Sequence, residues 1–225
     1  SLAYNNDTFK FKEPFEGLFT QGMVCHETYK DENNNWLSPE EVEFSGKHYY
    51  VKTNSSSKVT VGPSESMSKS KRNVIDPENI INNYGADAVR WYMISNSNPW
   101  DNLKFDQEGV SEVKRKFFGT FHNVYSFFSL YANIDNFSYR EDKIAFEKRS
   151  ELDQWILSEL NSLIKRVDNY YNEYDLTPAS REISDFVQEK LSNWYVRLSR
   201  RRFWKGEYNN DKISAYQTLY ELSLI

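Results

Sequence analysis

Ser64-Glu65-Ser66-Met67-Ser68-Lys69-Ser70-Lys71-Arg72-Asn73 is the stretch from which the rest of the chain can be read. It is short and polar, with three cations close together, Lys69, Lys71 and Arg72. On its N-terminal side Val59-Thr60-Val61-Gly62 reads as a β-like run. On its C-terminal side Asp76-Pro77 predicts a helix start, because Asp is a good N-cap and Pro is favoured in the first turn. A flexible cationic loop between a strand and a helix N-terminus is a place that can hold a polyphosphate. Backbone N–H groups and the helix dipole favour the anion, and a lysine adds a compact point charge. Composition alone favours the plainer reading, a solvated linker rich in Ser and Lys.

The chain has 225 residues, enough for one large domain or two small ones. Its 39% hydrophobic content includes 16 Tyr, 15 Phe and 6 Trp, which is enough for a core and excludes a disordered chain. The net charge of −5 gives no general attraction for nucleic acid, so any such surface must be local. Cys25 is the one cysteine, which excludes an internal disulfide or a cysteine-rich zinc site and fits a reducing, cytoplasmic setting. Cys25-His26 lacks the company of other ligands, so no metal is expected there. No apolar run is long enough to span a membrane, and no signal peptide stands at Ser1. With no initiator Met, and with Ile225 falling inside a helical pattern, the chain reads as a fragment.

Before Arg90 the chain reads as β-rich. Leu18-Phe19-Thr20-Gln21-Gly22-Met23-Val24 is a mostly apolar run that predicts a buried strand. Lys30 to Asn35 is a turn cluster, Phe44 to Val51 a strand or hairpin arm, and Asn54-Ser55-Ser56-Ser57 a loop. Cys25 to Pro63 together read as a β-ribbon insertion between a core strand and the cationic loop. After Arg90 the pattern turns helical. Gly85 ends one short helix, Ala86 to Ser95 forms the next, and Asn96-Ser97-Asn98-Pro99 breaks it. Asp106 caps a long helix with Val110, Val113, Phe117, Phe121, Val124, Phe128 and Tyr131 on its inner face. After the linker from Asp135 to Arg149, Ser150 and Asp153 resemble a capping box ahead of Leu152, Ile156, Leu160, Leu163 and Val167. Thr177-Pro178 starts a third long helix with Ile183, Phe186, Val187, Leu191, Trp194 and Leu198 inward. Asp211 caps a fourth, with Ile213, Tyr216 and Tyr220. This is a helical bundle.

One helix of that bundle is basic. Lys190, Arg197, Arg200, Arg201, Arg202 and Lys205 lie on or beside it, with Trp194, Tyr195 and Trp204 interleaved. Cations of this kind hold phosphates, and exposed aromatics stack unpaired bases. A salt-bridged solvent face has the same composition, and Trp194, on the apolar stripe, reads as core. Lys114-Arg115-Lys116 forms a second cluster near the start of the long helix.

Met67-Ser68-Lys69-Ser70, followed by Lys71, Asn73, Asp76-Pro77 and Tyr84-Gly85-Ala86-Asp87-Ala88-Val89-Arg90, resembles the second signature motif of class I aminoacyl-tRNA synthetases, Lys-Met-Ser-Lys-Ser. Ser66 stands where the motif's first lysine usually is; the second lysine is Lys69. Pro14-Phe15 and Thr20-Gln21-Gly22-Met23-Val24-Cys25-His26-Glu27-Thr28-Tyr29, continuing through Trp36 and Pro39, resemble bacterial leucyl-tRNA synthetases, over roughly residues 13–90. Val89-Arg90-Trp91-Tyr92-Met93-Ile94-Ser95, Leu152-Asp153-Gln154-Trp155-Ile156-Leu157 and Leu191-Ser192-Asn193-Trp194-Tyr195-Val196-Arg197-Leu198-Ser199-Arg200-Arg201-Arg202-Phe203-Trp204 resemble isoleucyl-tRNA synthetases, over about residues 91–220. The chain therefore reads as a mosaic.

The resemblance implies a mostly α fold with an α/β N-terminal part. Residues 1–95 would be the end of a Rossmann-like nucleotide-binding domain with a β-ribbon insertion, carrying the signature loop at 66–70. Residues 96–225 would be a truncated, anticodon-binding-type helical bundle. It implies ATP, with Mg2+, and tRNA as partners, and isoleucine as the favoured amino acid, with leucine as the alternative. Lys69 takes the catalytic role, Lys71 assists, Met67, Ser68 and Ser70 contact the nucleotide, and Gly22 and Met23 line the adenine pocket. Arg197, Arg200, Arg201, Arg202, Lys205, Lys114 and Lys116 are the implied tRNA contacts. The family's His-Ile-Gly-His signature and its editing domain are absent from these residues and are expected upstream, so the fragment alone should not aminoacylate. The rival class is a non-catalytic RNA-binding helical module; an interaction bundle with no RNA role is the blander third.

Overall fold

The computed structural model describes residues 15, 17–46, 48–205 and 207–224. Pro14, Lys47 and Ile225, which enter the expectations above, lie outside them. Strand β1 (Val24–Lys30) is the axis of the first sheet. It pairs antiparallel with β2 (Trp36–Leu37) and with β6 (Thr60–Ser66), and parallel with β7 (Leu103–Lys104). Strands β3 (Val42–Ser45), β4 (His48–Val51) and β5 (Asn54–Lys58) form a separate antiparallel sheet. Gly46, at φ +67, turns the β3–β4 hairpin, a conformation that costs glycine little.

Two expectations shift here. The apolar run from Leu18 to Met23 is not a strand; Leu18 is 87% exposed, and the strand begins at Val24. Its buried positions are Cys25, Thr28 and Tyr29, so nonlocal pairing with β6 and β7, not local apolar content, sets the register. Asn54 to Ser57, expected as a loop, lies in β5, where pairing to β4 overrides weak local propensity.

Helices α1 (Pro77–Tyr84) and α2 (Ala86–Asn96) follow. Asp76 caps α1 by accepting from the Glu78 N–H at 3.0 Å. Helix α3 (Gln107–Glu112), capped by Asp106, runs through a π segment (Val113–Phe118) into α4 (Gly119–Ile134). Helix α5 (Glu151–Asn172) comes next, then α6 (Leu176–Asp185), a second π segment (Phe186–Val196) and α7 (Arg197–Trp204) in one continuous rod. Helix α8 (Asn210–Ser223) closes the bundle. Its cap is Asn209, which accepts from the Lys212 N–H at 3.1 Å, and not Asp211, which is held elsewhere.

The π segments explain the largest departure from the sequence pattern. An i→i+5 turn takes up more residues than an α turn, so the inward face moves along the chain. After Leu191 the buried positions are Tyr195, Val196, Ser199 and Phe203. Trp194 and Leu198, placed inward by straight α periodicity, are 58% and 56% exposed. Phe121 is likewise turned out beyond the first π segment, while Val124 and Phe128 are buried. Trp194→Ala should therefore change stability by less than about 0.5 kcal/mol. Tyr195→Phe should cost about 1.5–3 kcal/mol, because Tyr195 donates to a buried carboxylate. Urea unfolding of the two variants checks the pair, and a larger loss for Trp194 would contradict the face assignment.

The bundle is joined to the sheet region through α2 and α6. Arg181 donates to the carbonyls of Ser95 and Asn96, and the Thr177 hydroxyl lies 2.8 Å from the Ile94 carbonyl. These bonds satisfy carbonyls that a helix C-terminus otherwise leaves open. Trp91 stacks on Phe117 and donates to the Ser184 hydroxyl at 3.0 Å.

Candidate functional site

The cationic loop leaves β6 at Ser66, one pair from the start of β1, and reaches α1 through Ile75. Ser64, Glu65 and Ser66 belong to the strand, so the free loop is shorter than the sequence indicates. Met67 points inward, packing against the core of Ile75, Ile80, Leu103 and Phe105. The Ser68 and Ser70 hydroxyls lie 2.7 Å apart. Lys69 to Lys71 forms a single 3-10 turn, ended by Arg72 at φ +53, where its N–H donates to the Lys69 carbonyl at 3.2 Å.

The three cations have different partners. Lys71 pairs with Glu65. Arg72 donates to the Trp36 carbonyl at 3.2 Å and to Glu41 at 3.0 Å. Hydrogen bonds, with the Ser38 N–H first among them and the Ser38 hydroxyl and Arg72 adding to it, hold the Glu41 carboxyl below its usual range. Lys69 is exposed and makes no ion pair among the described residues. It is the loop cation open to an incoming anion.

Gly22 packs against Pro99 and Asp101, and Met23 meets Ser66 at the end of β6. The Gly22 N–H donates to the Pro99 carbonyl at 2.5 Å, and a Cβ on Gly22 would stand 2.1 Å from the Asp101 carbonyl oxygen. Only glycine permits that approach. Met23 is exposed, and its sulfur accepts from the Ser66 hydroxyl at 3.8 Å. The fold thus brings Met23 against Ser66, where the chain enters the loop that carries Lys69.

The second candidate surface is the outer face of the α6–α7 rod. Trp194, Arg197, Leu198, Arg201 and Lys205 succeed one another at helical spacing, with Arg200 and Trp204 alongside, and all are exposed. Arg197, Arg200, Arg201 and Lys205 make no ion pair among the described residues. The Lys205 ammonium lies 5.3 Å from the Trp204 ring centroid, a cation–π interaction. Three of the other expected cations are occupied. Lys190 pairs with Glu159, Lys116 pairs with Glu112, and Lys114 donates to the Asn83 carbonyl at 3.0 Å.

Arg202 is turned inward, unlike its neighbours. It donates to both oxygens of Asp153 at 2.7 Å and to Asp211 at 2.8 Å. The same Asp153 carboxylate accepts from the Tyr195 hydroxyl at 2.7 Å and the Ser214 hydroxyl at 2.8 Å. Burial works to raise the Asp153 carboxyl, but the bonds and charge of Arg202, helped by Tyr195 and Ser214, hold it below its usual range. A parallel pair lies nearby: the buried Arg149 grips Glu221 with two prongs, 2.9 Å on each arm. Asp153 therefore differs from its expected place in a capping box. Ser150 does accept from the Asp153 N–H, at 3.3 Å, but the carboxylate faces the core. Sequence reasoning places Asn73 in the signature stretch and Asp153 in a capping box, but gives neither its role as an organising side chain. Their signals are only a polar residue just past the loop and an acid on the edge of an apolar stripe.

Two family descriptions match the chain: tRNA synthetases class I (I, L, M and V) over residues 9–106, and anticodon-binding domain of tRNA ligase over residues 153–223. Curated relatives include the isoleucine–tRNA ligase of Bacteroides thetaiotaomicron, 62% identical over 154 residues, which is 68% of this chain and 13% of that protein. The isoleucine–tRNA ligase of Porphyromonas gingivalis is 63% identical over 154 residues, 68% of this chain and 14% of its own length. That of Dehalococcoides mccartyi (strain CBDB1) is 55% identical over 156 residues, 69% of this chain and 15% of its own. The chain thus spans only 13–15% of these relatives. Among solved structures, the LeuRS of Agrobacterium radiobacter K84, in a ternary complex with tRNA and LeuAMS, has a TM-score of 0.54 and 19% identity. That likeness, which is one of fold, covers 99% of this chain and 24% of the other.

Proposed function

We propose that this chain, which belongs to the class I tRNA synthetases, works as part of an ATP-dependent, AMP-forming isoleucine–tRNA ligase. The observation that carries the reading is the high identity to isoleucine–tRNA ligases over two thirds of the chain. Residues 1–95 are assigned to the end of a Rossmann-like catalytic domain; the ribbon insertion expected over Cys25 to Pro63 is narrowed to strands β3 to β5, because Cys25 to Lys30 lies in β1 of the first sheet. Residues 96–225 are assigned to the anticodon-binding-type domain. Leucine is the second reading, favoured by the leucyl-like residues around β1.

In the proposed reaction the amino acid carboxylate attacks the α-phosphorus of ATP. A carboxylate oxygen–phosphorus bond forms, the bond to the bridging oxygen breaks, and pyrophosphate leaves with the electron pair. Negative charge grows on the departing phosphates. A preorganised cation there lowers the barrier, because it binds the transition state better than the ground state. Lys69 is assigned that role, since it is the loop cation without a competing carboxylate. Lys71 assists once it leaves Glu65, and Ser68 and Ser70 offer hydroxyls. Gly22 and Met23 are assigned to the adenine side. ATP acts with Mg2+, for which no ligand is assigned on this chain. The setting is assigned as cytoplasmic.

tRNA is assigned to the outer face of the α6–α7 rod, through Arg197, Arg200, Arg201 and Lys205, with Trp194 and Trp204 available for stacking. Arg202, Lys114 and Lys116 leave this set, because each has a local partner. The test is Arg197→Gln, Arg200→Gln and Arg201→Gln together in a full-length ligase carrying these residues. tRNA affinity should fall, and the log–log salt slope should flatten by about one unit for each phosphate no longer neutralised. Isoleucine-dependent pyrophosphate exchange should stay unchanged. A triple variant with the wild-type slope would remove this face from the tRNA interface.

A further inference from the structure

We propose that Asn73 is the positioning residue that fixes where Lys69 stands; this rests on the reading of Lys69 as the cation of adenylate formation. Asn73 is wholly buried, at 0% exposure, at the end of a loop whose Lys69, Ser70 and Arg72 are exposed. Its Oδ1 accepts from the Ser68 N–H at 2.8 Å. Its Nδ2 faces three carbonyls: His26 and Glu65, each at 3.3 Å, and Ser66 at 3.4 Å. An amide nitrogen has two protons, so the three carbonyls share them.

The arrangement ties three backbone segments with one side chain. His26 lies on β1, Glu65 and Ser66 end β6, and Ser68 opens the loop. The bond from Ser68 to Asn73 closes the segment that holds Lys69. Within that closed segment the Arg72 N–H donates to the Lys69 carbonyl at 3.2 Å, and the Arg72 guanidinium is tied to Trp36 and Glu41. The backbone of Lys69 is therefore fixed on both sides, and its side chain alone is left free.

Asparagine is the residue type this place needs. It accepts one N–H and donates to carbonyls from the same planar group. Aspartate has no donor, and alanine removes both the acceptor of the Ser68 N–H and the donor to the three carbonyls.

The test is isoleucine-dependent pyrophosphate exchange in a full-length ligase carrying these residues, comparing Lys69→Ala, Asn73→Ala and the double variant. Asn73→Ala should lower kcat by about a hundredfold, the loss expected when a catalytic group is displaced by about an ångström, with KM for isoleucine unchanged. The double variant should be no slower than Lys69→Ala alone, because residues that act through one another are not additive. Losses that multiply would overturn the proposal, as would a wild-type rate for Asn73→Ala. A wild-type rate for Lys69→Ala instead removes Lys69 itself, and so is a separate failure. Should Asn73→Ala not fold, hydrogen exchange of the wild-type ligase decides. The Ser68 amide should be protected, and exchange at the rate of an unstructured chain would overturn the assignment.

Discussion

Replacing Lys69 by alanine in a full-length ligase carrying these residues should slow adenylate formation by about a hundredfold or more, about 3 kcal/mol, the usual consequence of removing one preorganised charge from the transition state. The size follows from what surrounds Lys69. Lys71 has Glu65 and Arg72 has Glu41, so neither replaces a missing ammonium without first breaking a pair. Amino acid binding should change little, because in the proposed mechanism Lys69 meets charge that develops only in the transition state. Pyrophosphate exchange reads this directly. Lys69→Arg recovers only part of the rate, since a planar fork does not reproduce a compact point charge. An unchanged exchange rate for Lys69→Ala would remove the residue from the mechanism.

Asp153→Ala destabilises the bundle by about 3 kcal/mol or more, the cost of stripping a buried ion pair of one partner. Arg202 keeps Asp211, which is half-exposed, while the Tyr195 and Ser214 hydroxyls lose their acceptor. The pH dependence has a definite sign. The Asp153 carboxyl is held below its ordinary range in the folded chain, so its stabilising contribution is complete above the unfolded value, about 4, and is lost as pH falls beneath it. Glu221, held low against its own burial by Arg149 and Tyr139, adds in the same sense. Melting followed from neutral pH downward should show the wild type losing stability below about pH 4. Asp153→Ala should start lower and fall less steeply. A variant within about 0.5 kcal/mol of wild type would mean that the Asp153 cluster contributes no net stability.

The same cluster shows where sequence reading stops. Asp76, Asp106 and Ser150 cap helices as their local sequence indicates, because capping is decided within a few residues. The position of the cationic loop, between a strand and the α1 N-terminus, is legible for the same reason. Asp153 is not. Its neighbours in sequence describe a helix start, while its partners Tyr195, Arg202 and Ser214 come from other elements of the bundle. Straight α periodicity misplaces the inward face of the α6–α7 rod from Trp194 onward, since nothing in the local sequence announces a π segment and one wider turn changes every later position. Asn73 is visible as a residue of the motif, but its role depends on carbonyls from β1 and β6 that only the folded sheet brings together.

These residues are proposed to belong to a ligase that activates isoleucine. The most direct measurement is ATP–pyrophosphate exchange by the full-length ligase, run separately with isoleucine and with leucine at equal concentration. Exchange should be driven far more strongly by isoleucine. Exchange driven by leucine instead, or by neither amino acid, would contradict the proposal.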